Sequence, residues 1–164
     1  MAVQPPSLYK YFDSLHAIYD QLFARAVADY GAAVSAAITL EVGGEQRLRA
    51  GVRTGVAWAV GHPALAQLLF WRAVPDFEPS PAAFAGSVEQ MEFTRNELAA
   101  AVQDGELAAG TDVDEATRML TVLMSGLISQ QLANEPGVPY AEGRFSALTD
   151  RAIDMFLRHY RDPQ

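Results

Sequence analysis

The chain contains no cysteine. That removes disulfide frameworks, thiolate nucleophiles and thiolate metal sites together, and it fits a reducing compartment such as the cytoplasm. Only three histidines are present: His16, His62 and His159. They are far apart, on separate expected helices. There is no H-E-x-x-H, no paired-carboxylate or Cys/His spacing and no G-x-G-x-x-G. Gly43-Gly44 lacks the Lys-Ser/Thr that would make a phosphate loop, and the helical E-x-x-H step of di-iron bundles is missing. The expectation is a protein with no catalytic residues, no metal and no cofactor, and hence not an enzyme. Positive charge is also scarce, with 12 Lys and Arg against 20 Asp and Glu and a net charge of −8. Segment 51–110 alone holds three Arg against seven acids. An acidic body suits solubility and repels nucleic acid, whereas a free-standing nucleic-acid binder usually shows a basic surface. The first twelve residues are the exception, with Lys10 and no acid.

Strand signals are lacking as well. No strict alternation over five or more residues lies beside a turn signal, and no repeat or low-complexity segment stands out. The opening MAVQPPSLYKYF has no basic region followed by an apolar one, so it is not read as a signal peptide. Thr54 to Trp71 carries no formal charge and approaches membrane-spanning length. Gly61-His62-Pro63 interrupts it, which predicts two buried helices joined at a bend and no membrane span.

What is present is helical spacing. The chain has 164 residues, half of them hydrophobic, enough for one domain with a sizeable core. From Ser14, a fair N-cap, two apolar series run at steps of three or four: Leu15, Ile18, Leu22, Ala26, and Tyr19, Phe23, Val27, Tyr30, Val34. So wide an apolar face predicts a helix packed on more than one side. A second helix is expected from about Glu45 to Val60, with Leu48, Val52, Val56 and Ala59 on one side. Its Gly51 and Gly55 suit either close helix packing or simply a weaker helix. His62-Pro63 opens a third, ending near Arg72, and Val74 to Pro81 reads as a loop. A long fourth helix carries Phe84, Val88, Met91, Arg95, Leu98 and Val102 and ends at Asp104-Gly105. Asp112 or Asp114 caps a fifth, with Ala116, Leu120, Leu123 and Leu127 on its face. Asn134 to Pro139 breaks it, and a last helix is predicted from about Tyr140 to Tyr160. The fold class is all-α.

The segment Val3-Gln4-Pro5-Pro6-Ser7-Leu8-Tyr9-Lys10-Tyr11-Phe12-Asp13-Ser14 resembles the end of the helix-turn-helix of TetR-type bacterial transcriptional regulators. There a short recognition helix reads roughly V-x-x-P-[TS]-L-Y-x-[HY]-F before a long helix begins. Pro63 followed by Leu65, Leu68, Leu69 and Phe70, and the Asp104-Gly105-Glu106-Leu107 connection, are similar to later segments of that family. Leu15 stands where the family often has a phosphate-contacting lysine. The resemblance implies a remnant of the DNA-binding domain over 1–13 and a ligand-binding and dimerisation domain over 14–164. The last two helices would form a four-helix bundle with a second copy. It implies a regulator, of the repressor kind, that homodimerises and binds a small, largely apolar effector. Ser7, Tyr9, Lys10 and Tyr11 are the DNA-contacting candidates, because hydroxyls and Lys can reach phosphates and base edges. DNA binding is expected to need two further N-terminal helices.

The same resemblance places an effector pocket among the second to fifth helices, with Trp58, His62, Phe70, Trp71, Phe84, Met91, Arg95, Met119 and Leu123 as candidates. Aromatics and Met with a few polar groups suit such a pocket. For each apolar member taken singly, core packing is the other reading. Arg95 falls on the apolar face, and a buried Arg needs an anionic partner, either Glu92 or a ligand acid. Leu127, Ile128, Gln131, Phe145, Leu148, Ala152, Met155 and Phe156 are the candidates for the dimer interface, or else face the core of one copy. Two other functions fit the same residues: a short interaction protein that heterodimerises with an intact regulator, and a stand-alone helical ligand-binding protein.

Overall fold

Ser14 sets the first boundary. In the computed structural model, which describes residues 14–41, 43–71 and 73–161, its hydroxyl accepts from the Ala17 N–H at 3.1 Å and helix α1 (Leu15–Thr39) follows. Ser7, Tyr9, Lys10 and Tyr11 lie outside the described residues.

Helix α2 (Gly44–Gly61) has no side-chain cap of its own. The Glu106 carboxylate, distant in sequence, takes that role, accepting from Gly44 N at 3.0 Å and Glu45 N at 2.6 Å. It satisfies two donors left open at the helix start and sets negative charge at the positive end of the helix dipole. A Cβ on Gly44 would lie 2.5 Å from Glu106 Oε2, so a side chain there would push the carboxylate off its capping position. Glu106→Ala should therefore lower the unfolding free energy by about 1–2 kcal/mol; an unchanged urea midpoint would contradict this role.

Helix α3 (Pro63–Phe70) begins at the predicted bend. His62 Nδ1 lies 2.8 Å from the Trp58 carbonyl, and its ring stacks on Trp58 at 4.7 Å. The charge-free stretch is thus two helices, and among the described residues no helix is long and apolar enough to cross a membrane. Helix α4 (Pro81–Gln103) starts with Ser80 as its cap. Asp20 of α1 clasps that residue, accepting from Ser80 N at 2.6 Å and Ser80 Oγ at 2.7 Å. Gly105, at φ +75°, turns the chain after it. Of the two candidate caps for helix α5 (Val113–Asn134), Asp112 is the one used; it accepts from Asp114 N and Glu115 N.

The final helix departs from expectation. It starts not at Tyr140 but as a 3₁₀ turn over Ser146–Leu148 that leads into α6 (Thr149–Arg161). The cause is Gln131, fully buried on α5. Its Oε1 accepts from Phe145 N at 3.2 Å and Ser146 N at 3.0 Å, while Ser146 Oγ donates to the Tyr140 carbonyl at 2.6 Å. These backbone donors are satisfied by a side chain rather than by a helical ladder. Gly143 lies against the amide so closely that a Cβ would stand 2.3 Å from Gln131 Oε1.

Helix α2 is the hub and packs on all the other helices. Its expected face of Leu48, Val52, Val56 and Ala59 is buried. A Cβ at Gly51 would meet Ile38 Cδ1 at 2.9 Å, and one at Gly55 would meet the Tyr30 hydroxyl at 2.7 Å and Met124 Cε at 2.8 Å. Of the two readings of these glycines, close packing is the one realised. Arginines of α2 tie it to α6, with Arg49 at 2.6 Å from Asp154 and Arg53 at 2.6 Å from Asp150. Hydrogen bonds from Arg49 and Arg53 hold the Glu45 and Asp150 carboxyls below the usual carboxylate range. Their stabilisation is present above the ordinary carboxylate pKa and is lost as pH falls through the lowered folded values. Both pairs are partly exposed, so that contribution is small.

A candidate effector cavity

Helices α1, α3, α4 and α5 leave a cavity of about 220 Å³ between them. Its walls are mostly apolar: Val27 from α1, Leu69 and Phe70 from α3, Phe84 and Met91 from α4, and Leu120, Met124 and Ile128 from α5. The polar groups are Tyr30, Ser87, Gln90, Thr94, Thr121 and Ser125. Among the described residues no charged side chain lines it.

The hydroxyls differ in what they have left to give. Thr94 donates to the Gln90 carbonyl at 3.0 Å and Thr121 to the Thr117 carbonyl at 2.9 Å, so both protons are committed. The Tyr30 hydroxyl makes no hydrogen bond among the described residues. Its ring is fixed edge-on against Trp58 at 5.4 Å and Phe70 at 5.7 Å. Burial pushes the phenol up to about 12, so it stays protonated, and able to donate, throughout the physiological range.

Three of the residues expected at a pocket line this cavity: Phe70, Phe84 and Met91. The others do not. Trp58 is buried behind Tyr30, and His62 is exposed at the end of α2. Trp71 faces a separate recess of about 400 Å³ beside Phe77 and Pro79. Met119 is exposed, and Leu123 packs on the main core. The expectation of a buried Arg95 is corrected: its side chain is 43% exposed and bonds Asp114 at 2.7 Å, not Glu92. The lining helices also differ from expectation, since α1 replaces α2. Helix α2 is taken up by the core, and its glycine side only backs the Tyr30 hydroxyl. Tyr30, Gln90 and Ser125 were not anticipated. The second apolar series on α1, which runs through Val27 and Tyr30, was the available signal.

The interface candidates divide in the same way. Ile128, Gln131 and Phe156 are buried within one copy of the chain and cannot be reached by another without unfolding. Leu127, Phe145 and Ala152 are half-buried. Leu148 and Met155 are exposed, joined on α5 by Met119 and Val122; Met155 is 61% and Val122 64% exposed.

Residues 48–156 match the family model of the tetracyclin repressor-like, C-terminal domain. No curated protein matches the chain. Five chains of solved structures do. One of them, a protein with unknown function from Rhodococcus sp. RHA1, superposes with a TM-score of 0.80 at 18% identity, over 98% of this chain and 80% of that one. At that identity the likeness speaks to the shared fold alone.

Proposed function

Because the chain belongs to the tetracyclin repressor-like C-terminal domain family, we propose that it is the effector-sensing and dimerisation domain of a transcriptional regulator of the repressor kind, acting in the cytoplasm. The observation that carries this reading is the apolar cavity bordered by α1, α3, α4 and α5, which no charged side chain lines among the described residues. Apolar walls with a few polar groups are the ordinary make-up of a small-molecule site. The second copy is assigned to the outer sides of α5, α6 and the 3₁₀ turn before it, where Val122, Met155 and Leu148 expose apolar surface to water. Large apolar groups left exposed on neighbouring elements commonly mark an interface.

Native mass spectrometry of the purified chain tests both halves. The expected result is a dimer mass that carries a small apolar molecule. Val122→Glu together with Met155→Glu should convert the dimer to a folded monomer, since a charge buried in an apolar interface is strongly unfavourable. A wild-type chain that is monomeric at micromolar concentration, or a double variant that stays dimeric, would remove α5 and α6 from the interface.

A further inference from the structure

Two properties of the cavity serve no purpose in the fold. No described charged group reaches it, and among the described residues the Tyr30 hydroxyl inside it makes no hydrogen bond. Tyr30 is half-buried and its hydroxyl keeps access to the cavity space, where a ligand acceptor can meet it. Its room is made by Gly55, where any side chain would strike the hydroxyl. A neutral site also selects against ions. A carboxylate or ammonium entering it would lose its hydration with no opposite charge to replace it. Size sets the third limit. A cavity of about 150 Å³ holds one benzene, so about 220 Å³ suits one ring with a short substituent.

We propose that the cavity takes an uncharged, single-ring hydrophobe bearing a carbonyl oxygen, and that this oxygen accepts a hydrogen bond from the Tyr30 hydroxyl. The inference rests on reading the cavity as the effector site. Thr94 and Thr121 have already donated their protons to backbone carbonyls. Tyr30 therefore offers a donor held in place by its aromatic neighbours, beside the Ser87 and Ser125 hydroxyls, and the apolar walls supply the remaining affinity.

Titration calorimetry with three probes of one ring size tests it: acetophenone, ethylbenzene and benzoate at pH 7. Wild type should bind acetophenone more tightly than ethylbenzene and should not bind benzoate. Tyr30→Phe should weaken acetophenone about 5- to 10-fold, the span of one net hydrogen bond, and leave ethylbenzene unchanged. Benzoate binding as tightly as acetophenone overturns the proposal, as does an unaltered acetophenone-to-ethylbenzene ratio in the variant. Those outcomes leave the cavity itself standing. If none of the three binds wild type, the reading of the cavity as an effector site falls with the proposal. Infrared spectroscopy of bound acetophenone gives a readout that needs no variant. A carbonyl band lowered from its position in hydrocarbon solvent is expected, and an unshifted band overturns the hydrogen bond.

Discussion

Replacing Gln131 by alanine is expected to cost about 3–5 kcal/mol of unfolding free energy. Two backbone donors, Phe145 N and Ser146 N, lose their acceptor, and Gln131 and Ser146 are buried away from water. Each stranded donor costs about 1–3 kcal/mol, the emptied side-chain volume adds to that, and removal of the buried, unpartnered Gln131 Nε2 offsets part of it. Gly143→Ala approaches the same contact from the other side, because its new Cβ would displace the amide. Urea unfolding of the two variants measures the effect. The oligomer mass separates this role from the one first expected. A residue in the dimer interface would shift the mass and leave the fold of each copy intact, whereas a buried staple lowers the stability of every copy. A loss below about 1 kcal/mol would mean that the 140–148 segment holds its shape without the glutamine.

The second large effect is expected at Leu98. It is fully buried in the main core, and the only other buried residues of α4 are Ala83 and Ala101. Leu98→Ala should cost about 3–5 kcal/mol, the upper range for a fully enclosed leucine. It should also weaken any ligand of the cavity, since α4 supplies Phe84, Ser87, Gln90, Met91 and Thr94 to the lining. Denaturant unfolding reads the first effect and calorimetry with ethylbenzene the second. A variant that loses stability yet binds the probe unchanged would show that α4 holds its position without this anchor.

The helices were legible in the sequence wherever local chemistry sets them. Ser14 caps α1, Pro63 opens α3, Gly105 ends α4 and Asp112 caps α5. Each of these is a signal within a few residues of the boundary it makes. What could not be read depends on partners far along the chain. The Glu106 cap on α2 reaches across more than sixty positions, and the Asp20 clasp on Ser80 spans sixty. The late start of α6 is decided by a glutamine on the preceding helix. The candidate site divides along the same line. Helical spacing put Phe70, Phe84 and Met91 on inward faces, and they line the cavity. The same spacing also put Arg95 inward, because a period of 3.6 residues fixes which residues share a face but not what that face meets. The side of α5 that carries Met119 and Val122 is apolar and exposed, and no rule of spacing within one helix distinguishes it from a core face.

Helix α4 has the support of a beam fixed at its ends. Ala83 and the Asp20 clasp hold its start, while Leu98, Ala101 and the bidentate pair of Glu97 with Arg47, at 2.6 and 2.7 Å, hold its finish. Between residues 84 and 97 none is buried, and this is the span that walls the cavity. A helix held at both ends and loosely packed between them has its least support at the centre. A molecule could then reach Tyr30 while the α2 core stays closed, and once seated it would act as the missing prop beneath the middle of the beam. The free-energy cost of local flexing there, rather than of global unfolding, would then govern how fast the cavity fills and empties.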